Sequence, residues 1–143
     1  MPPSGSILDP LRPDQPLANL ISGEWVPSKA TESMPVTNPA TGELIATVPL
    51  STPAETDAAI AAAHHSFLEW RKVPAVNRAR HLFRLHRLIE ENFEELSRIC
   101  TIENGKTLAE SRGEVIRTLE NVEVAAGIPS LQMGDFSADI AAG

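Results

Sequence analysis

The sequence predicts β-hairpins followed by three α-helices, an α+β order with very few strands. Three observations carry this. Short apolar pieces flank turn-forming residues only between positions 19 and 50. From Ser51 onward, apolar residues recur at spacings of three and four. Two helix starts are spelled out by Thr-x-x-Glu boxes, Thr52 with Glu55 and Thr107 with Glu110.

The elements follow in order. Five prolines in the first sixteen residues mark positions 1–18 as a flexible Pro-rich arm. In NLISGEWVPS, Leu20-Ile21 and Trp25-Val26 flank Ser22-Gly23, a turn pair, so a small strand–turn–strand is expected. In MPVTNPATGELIATVPL, Pro39 presets φ for a turn and Gly42 tolerates positive φ. Leu44-Ile45-Ala46-Thr47-Val48 then reads as the returning strand. Two such hairpins are marginal alone, so the strands are expected to need partners from outside the chain.

The first helix starts with Thr52 as N-cap and Pro53 at the first helical position, carries Ile60, Ala63, Phe67 and Trp70, and breaks at Pro74. The second is read as one helix with the stripe Leu82, Leu85, Ile89, Phe93, Leu96 and Cys100, ended near Gly105. The third starts at Thr107, carries Leu108, Val115, Leu119, Val122 and Ala126, and is expected to stop at Gly127-Ile128-Pro129. The tail SLQMGDFSADIAAG has no strong period.

Composition narrows the partners. With 12 basic and 19 acidic residues among 143, the net charge of −7 argues against nucleic acid and anionic membrane. A single cysteine rules out a disulfide within the chain and fits a reducing compartment. No apolar run reaches the ~20 residues of a membrane span. The N-terminus lacks a signal-peptide pattern, so a cytoplasmic location is the expectation.

Few residues stand out as chemical groups. Cys100 lies late on an apolar helical stripe, where the dipole disfavours a thiolate, and reads as core. His64 and His65 are adjacent and His81 and His86 are five apart, so neither pair has metal-ligand spacing. Arg80, Arg84 and Arg87 share a helical face and precede Glu90, Glu91, Glu94 and Glu95, the pattern of a salt-bridged solvent face. No glycine-rich phosphate loop and no Ser/His/Asp triad can be argued. Arg117 has Glu114 at i−3, Glu120 at i+3 and Asn121 at i+4. On spacing alone an intrahelical ion pair is the better explanation, ahead of a guanidinium clamp for a carboxylate.

Taken together, ISGEWV, TNPATGELIATVPLST, FLEWRKVPAVNRARHLFRL, IENGKTLAE and GEVIRTLENVEVAAGIPSLQMGDFS resemble the aldehyde dehydrogenase superfamily. NPATGE and ENGK occur across the superfamily. GEVIRTLENVEVAAGIPSLQMGD is narrower and resembles the CoA-acylating methylmalonate- and malonate-semialdehyde dehydrogenases. The resemblance covers 19–143, read as the N-terminal portion of an aldehyde dehydrogenase domain. It implies an α/β fold, of which the hairpins and helices open the Rossmann-like NAD-binding domain.

In the family, the catalytic cysteine, the pyridine-nucleotide site and the bridging oligomerisation strands come later in a much longer subunit. The resemblance thus implies no catalytic, cofactor-binding or metal-binding residue here, and Cys100 does not match the catalytic motif. It places one site residue: Arg117 of GEVIR, as the cation for the substrate carboxylate. The implied reaction is semialdehyde with CoA and NAD giving acyl-CoA, CO2 and NADH. The chain alone is expected to be inactive, with exposed apolar patches and a molten or self-associating state. Expected partners are a small semialdehyde and either a complementary C-terminal segment or further copies. Competing readings are a CoA-independent aldehyde dehydrogenase and a non-catalytic interaction segment.

Overall fold

A computed structural model describes residues 16–135. Most of the arm, 1–15, and the end of the tail, 136–143, lie outside the described residues.

Two antiparallel hairpins come first. β1 (Asn19–Ile21) pairs with β2 (Glu24–Val26), with Ile21 opposite Glu24. Ser22 and Gly23 both take positive φ, 54° and 81°, the mirror-image turn that matches strand twist. β3 (Ser33–Thr37) pairs with β4 (Leu44–Pro49), with an irregularity between Val36 and Thr37. Its turn is built as the sequence indicates. Asn38 Oδ1 accepts from Ala40 N at 2.9 Å, Gly42 N donates to Asn38 O at 2.7 Å, and Gly42 has φ +75°. The hairpins form separate sheets and join no larger sheet among the described residues. Ile45 and Ala46 of β4 are buried. Leu17 N donates to Thr47 O at 2.8 Å, so the chain entering from the arm runs along β4.

The sequence reading gives three helices; the structure has four among the described residues. They are α1 (Pro53–Trp70), α2 (Ala75–Glu91), α3 (Phe93–Asn104) and α4 (Leu108–Leu131). The expected second helix is split at Asn92, which leaves the helical region with φ −112° and ψ 19°. Asn92 Nδ2 donates to Leu88 O at 2.7 Å, the kind of side-chain bond that competes with the helical ladder. The apolar spacing runs through the break undisturbed, which is why periodicity alone does not reveal it. The expected stop at Gly127-Ile128-Pro129 is also overturned, because α4 continues to Leu131. Pro129 lies in the last turns, where its missing N–H removes one ladder bond. Gln132 N then donates to Ile128 O at 2.9 Å and closes the helix end.

Both capping boxes are present, at Thr52 with Glu55 and Thr107 with Glu110. Beyond β4, the buried residues among those described lie on helices. α4 lies against α2 and α3, with Ala79 and Ile89 of α2 and Val115 and Ala126 of α4 buried. Between α3 and α4 the fully buried groups are small: Ser97 and Ser111. Thr101 donates to Ser111 Oγ at 2.8 Å, and Ser97 returns its hydroxyl to Phe93 O. α1 buries none of its residues, and Ile60, Phe67 and Trp70 of its stripe are exposed.

Candidate functional site

The ENGKT segment sets the position of the charged groups beside α4. Gly105 ends α3 in the left-handed region, with φ +74° and its N–H donating to Thr101 O at 2.9 Å. Two residues later Thr107 caps α4, its hydroxyl accepting from Glu110 N at 3.3 Å. In return the Glu110 carboxylate accepts from Thr107 N at 3.0 Å and from the Thr107 hydroxyl at 2.8 Å. Those bonds, the one from the Thr107 hydroxyl foremost, hold the Glu110 carboxyl below the usual carboxylate range. Lys106 is thus the single residue between two fixed helix ends.

From there Lys106 Nζ reaches Glu114 Oε1 at 3.4 Å. Arg117 Nη1 donates to the same oxygen at 3.1 Å. Glu114 therefore bridges Lys106, just before α4, and Arg117 on α4. Arg117 remains 66% exposed, whereas the Lys106 side chain is only 24% exposed. The i−3 partner of Arg117 is visible in the sequence. Lys106 is not, because it stands eight positions before Glu114 with the cap Thr107 between them; the signal is the fixed geometry of the ENGKT corner.

Other polar groups brace this helix. Arg112 meets Glu94 of α3 with two bonds, Nε–Oε1 at 3.0 Å and Nη2–Oε2 at 2.8 Å. The pairing holds the Glu94 carboxyl below, and the Arg112 guanidinium above, their ordinary values. His86 of α2 lies between Glu90, 3.1 Å from Nδ1, and Glu123 of α4, 3.0 Å from Nε2. On the expected arginine face of α2, Arg87 pairs with Glu91 at 3.6 Å. His81 stacks edge-on to Trp70, with centroids 5.3 Å apart. Cys100 is half-buried on α3, four residues before that helix ends. A cleft of about 310 Å³ is lined by Trp70, Arg78, His81, Leu82, Ile128 and Pro129 among others, and it includes none of Lys106, Glu114 and Arg117.

The aldehyde dehydrogenase family model matches residues 25–139. The chain belongs to that family. It is 54% identical over 127 residues to malonate-semialdehyde dehydrogenase 2 of Geobacillus thermodenitrificans, a match that covers 89% of this chain and 26% of the relative. It is 53% identical over 125 residues to the malonate-semialdehyde dehydrogenase of Listeria innocua, covering 87% of this chain and 26% of the relative. The crystal structure of a methylmalonate-semialdehyde dehydrogenase from Oceanimonas doudoroffii superposes with a TM-score of 0.78 at 38% identity, covering 89% of this chain and 26% of that one. An aldehyde dehydrogenase C variant of Pseudomonas syringae, solved with NAD+ and octanal, gives 0.78 at 30% identity, covering 93% and 27%. The chain thus spans about a quarter of the length of the relatives it matches.

An NAD pyrophosphate binds where a glycine-rich turn opens onto a helix N-terminus. Among the described residues, the strand-to-helix turn is the one from β4 into α1, and it does not fit. It has no glycine, reading Pro49-Leu50-Ser51-Thr52. The N-terminus of α1 is already filled by Glu55, which accepts from Lys29 N at 2.6 Å and Thr52 N at 2.8 Å. These bonds lower the Glu55 carboxyl to about 2, so a resident anion stands where a phosphate would go.

Proposed function

We propose that this chain supplies the opening segment of an NAD-dependent, CoA-acylating malonate- or methylmalonate-semialdehyde dehydrogenase, with Arg117 as the cation that holds the substrate carboxylate. The observation that carries the reading is the exposed guanidinium of Arg117 on α4. It lies in a segment 54% identical to a malonate-semialdehyde dehydrogenase. A substrate with an aldehyde at one end and a carboxylate at the other needs a fixed positive group at a set distance from the reacting carbon. Arginine suits that role because its planar fork takes a carboxylate through two parallel bonds.

The thiolate nucleophile and the NAD and CoA sites are contributed by residues beyond those described here. The 143 residues by themselves therefore do not catalyse the reaction; the chain acts joined to the remaining part of a subunit, in a reducing, cytoplasmic setting. Two assays test this. NADH formation from malonate semialdehyde, NAD and CoA should be undetectable with the chain alone. It should appear when the chain is joined to the remaining three-quarters of the Geobacillus subunit. In that joined subunit, Arg117→Ala should raise KM for malonate semialdehyde by about tenfold or more, the loss of a charge-assisted pair, and leave propanal unaffected. Turnover by the chain alone, or equal losses on both aldehydes, would refute the reading.

A further inference from the structure

Building on Arg117 as the carboxylate-holding cation, we infer that Glu114 and Lys106 set the strength of its discrimination. Glu114 positions the guanidinium, and Lys106 masks the negative charge of Glu114 from the incoming carboxylate.

Glu114 Oε1 accepts from Arg117 Nη1 at 3.1 Å and from Lys106 Nζ at 3.4 Å. An arginine two-thirds exposed on a helix would otherwise sample many rotamers. The bond to Glu114, one turn earlier on α4, restrains it. It engages Nη1 and leaves the Nε–Nη2 edge of the fork for a second carboxylate, which that edge can take with two parallel bonds.

Restraint by a carboxylate has a cost. Glu114 places a negative charge beside the position where the substrate's own negative charge would bind, and like charges repel. Lys106 offsets it. Its backbone is fixed between the αL residue Gly105 and the N-cap Thr107, and its side chain is the least exposed of the three. With Lys106 the trio carries one net positive charge; without it, the trio is neutral. Lys106 and Glu114 are positioning residues, acting on the carboxylate through Arg117.

The test uses the joined subunit described above, with malonate semialdehyde and propanal as paired substrates. Glu114→Gln should raise KM for malonate semialdehyde by about threefold with kcat unchanged, in line with an exposed pair. Lys106→Met should raise it by a similar or larger factor. The decisive variant is the double one, Lys106→Met with Glu114→Gln. If Lys106 works by masking Glu114, removing both leaves Arg117 unopposed, and KM falls below that of Lys106→Met alone. A double variant no better than Lys106→Met overturns the masking role. Unchanged kcat/KM on propanal shows that each variant is folded.

Crystal structures of the joined subunit and its Glu114→Gln form test the positioning without any turnover. The guanidinium should lose its single position in the variant; one that stays put overturns the role of Glu114. The outcomes separate this inference from the reading beneath it. If Arg117→Ala raises KM for malonate semialdehyde and the other variants do not, only the present inference fails. If Arg117→Ala changes nothing, both fail.

Discussion

Gly105 lies so close under Pro39 that a β-carbon at position 105 would sit 2.9 Å from Pro39 Cγ and 3.3 Å from Ala40 N. The turn of the second hairpin is thereby seated on the corner between α3 and α4. Two sequence motifs far apart in the chain, NPATG and ENGK, are two sides of one contact. That contact fixes the corner carrying Lys106, and so bears on the charges around Arg117.

Gly105→Ala should therefore cost more than backbone strain. The left-handed φ of +74° alone costs an alanine about 1 kcal/mol. The clash with Pro39 and the Ala40 backbone should bring the total to about 2 kcal/mol or more. Gly42 is the matched control: its φ is +75°, and nothing lies within 4 Å of its absent β-carbon. Gly42→Ala should lose about 1 kcal/mol only. Urea denaturation followed by far-UV circular dichroism, at one dilute protein concentration, compares the two. Equal losses would mean that the hairpin does not press on the corner.

The stripe of α1 predicts association. Ile60 is 61% exposed and Phe67 50%, with Trp70 close behind; Arg71 lies 5.7 Å over the Phe67 ring and the His64 ring 6.4 Å from it, and they cover it only in part. An apolar face of this kind marks a contact surface. Sedimentation velocity of the 143-residue chain should show concentration-dependent association, and Ile60→Lys with Phe67→Lys should suppress it. A wild-type chain that stays monomeric at every concentration would contradict the expectation.

What the sequence made legible was local. Thr52 with Glu55, Thr107 with Glu110, the Ser22-Gly23 turn and the Asn38-Pro39 turn each depend on residues within four positions, and each is found in place. Two boundaries failed for a related reason. A three-four spacing cannot register the break at Asn92, because Phe93, Leu96 and Cys100 keep the rhythm of α2. The stop at Pro129 misjudged how little a proline costs in the last turns of a helix. The site shows the same division. The pairing of Arg117 with Glu114 follows from i, i+3 spacing, whereas Lys106, the Glu94–Arg112 pair and the contact of Gly105 with Pro39 exist only once the chain folds.

His86 joins two helices through two carboxylates, Glu90 on its own helix and Glu123 across on α4. A neutral imidazole can donate from one nitrogen only; the imidazolium donates from both. The cross-helix half should be measurable as a coupling. A double-mutant cycle of His86→Ala and Glu123→Ala should give about 0.5 kcal/mol, small because Glu123 is largely exposed, and shrinking as salt is added. Zero coupling at low salt would show that the two helices are held by packing alone.

Glu55 makes the clearest pH prediction. Its carboxylate accepts from Lys29 N, Thr52 N, Ser28 Oγ and Thr52 Oγ1, and so joins the segment after β2 to the start of α1. These bonds, that from Lys29 N foremost, lower its carboxyl from 4.5 to about 2. A carboxyl depressed in the folded state binds protons more readily when unfolded. Its stabilising effect is therefore complete above pH 4.5, and is lost as pH falls through that range to about 2. Glu94 and Glu110 are lowered as well and act with the same sign. The slope of unfolding free energy against pH should be positive over this window. Glu55→Gln should flatten it, since glutamine keeps an acceptor but binds no proton. Carboxyl carbon shifts followed by NMR across the same range would assign the step to Glu55. A Glu55 that titrates near 4.5 would mean that the segment after β2 is not bound to α1.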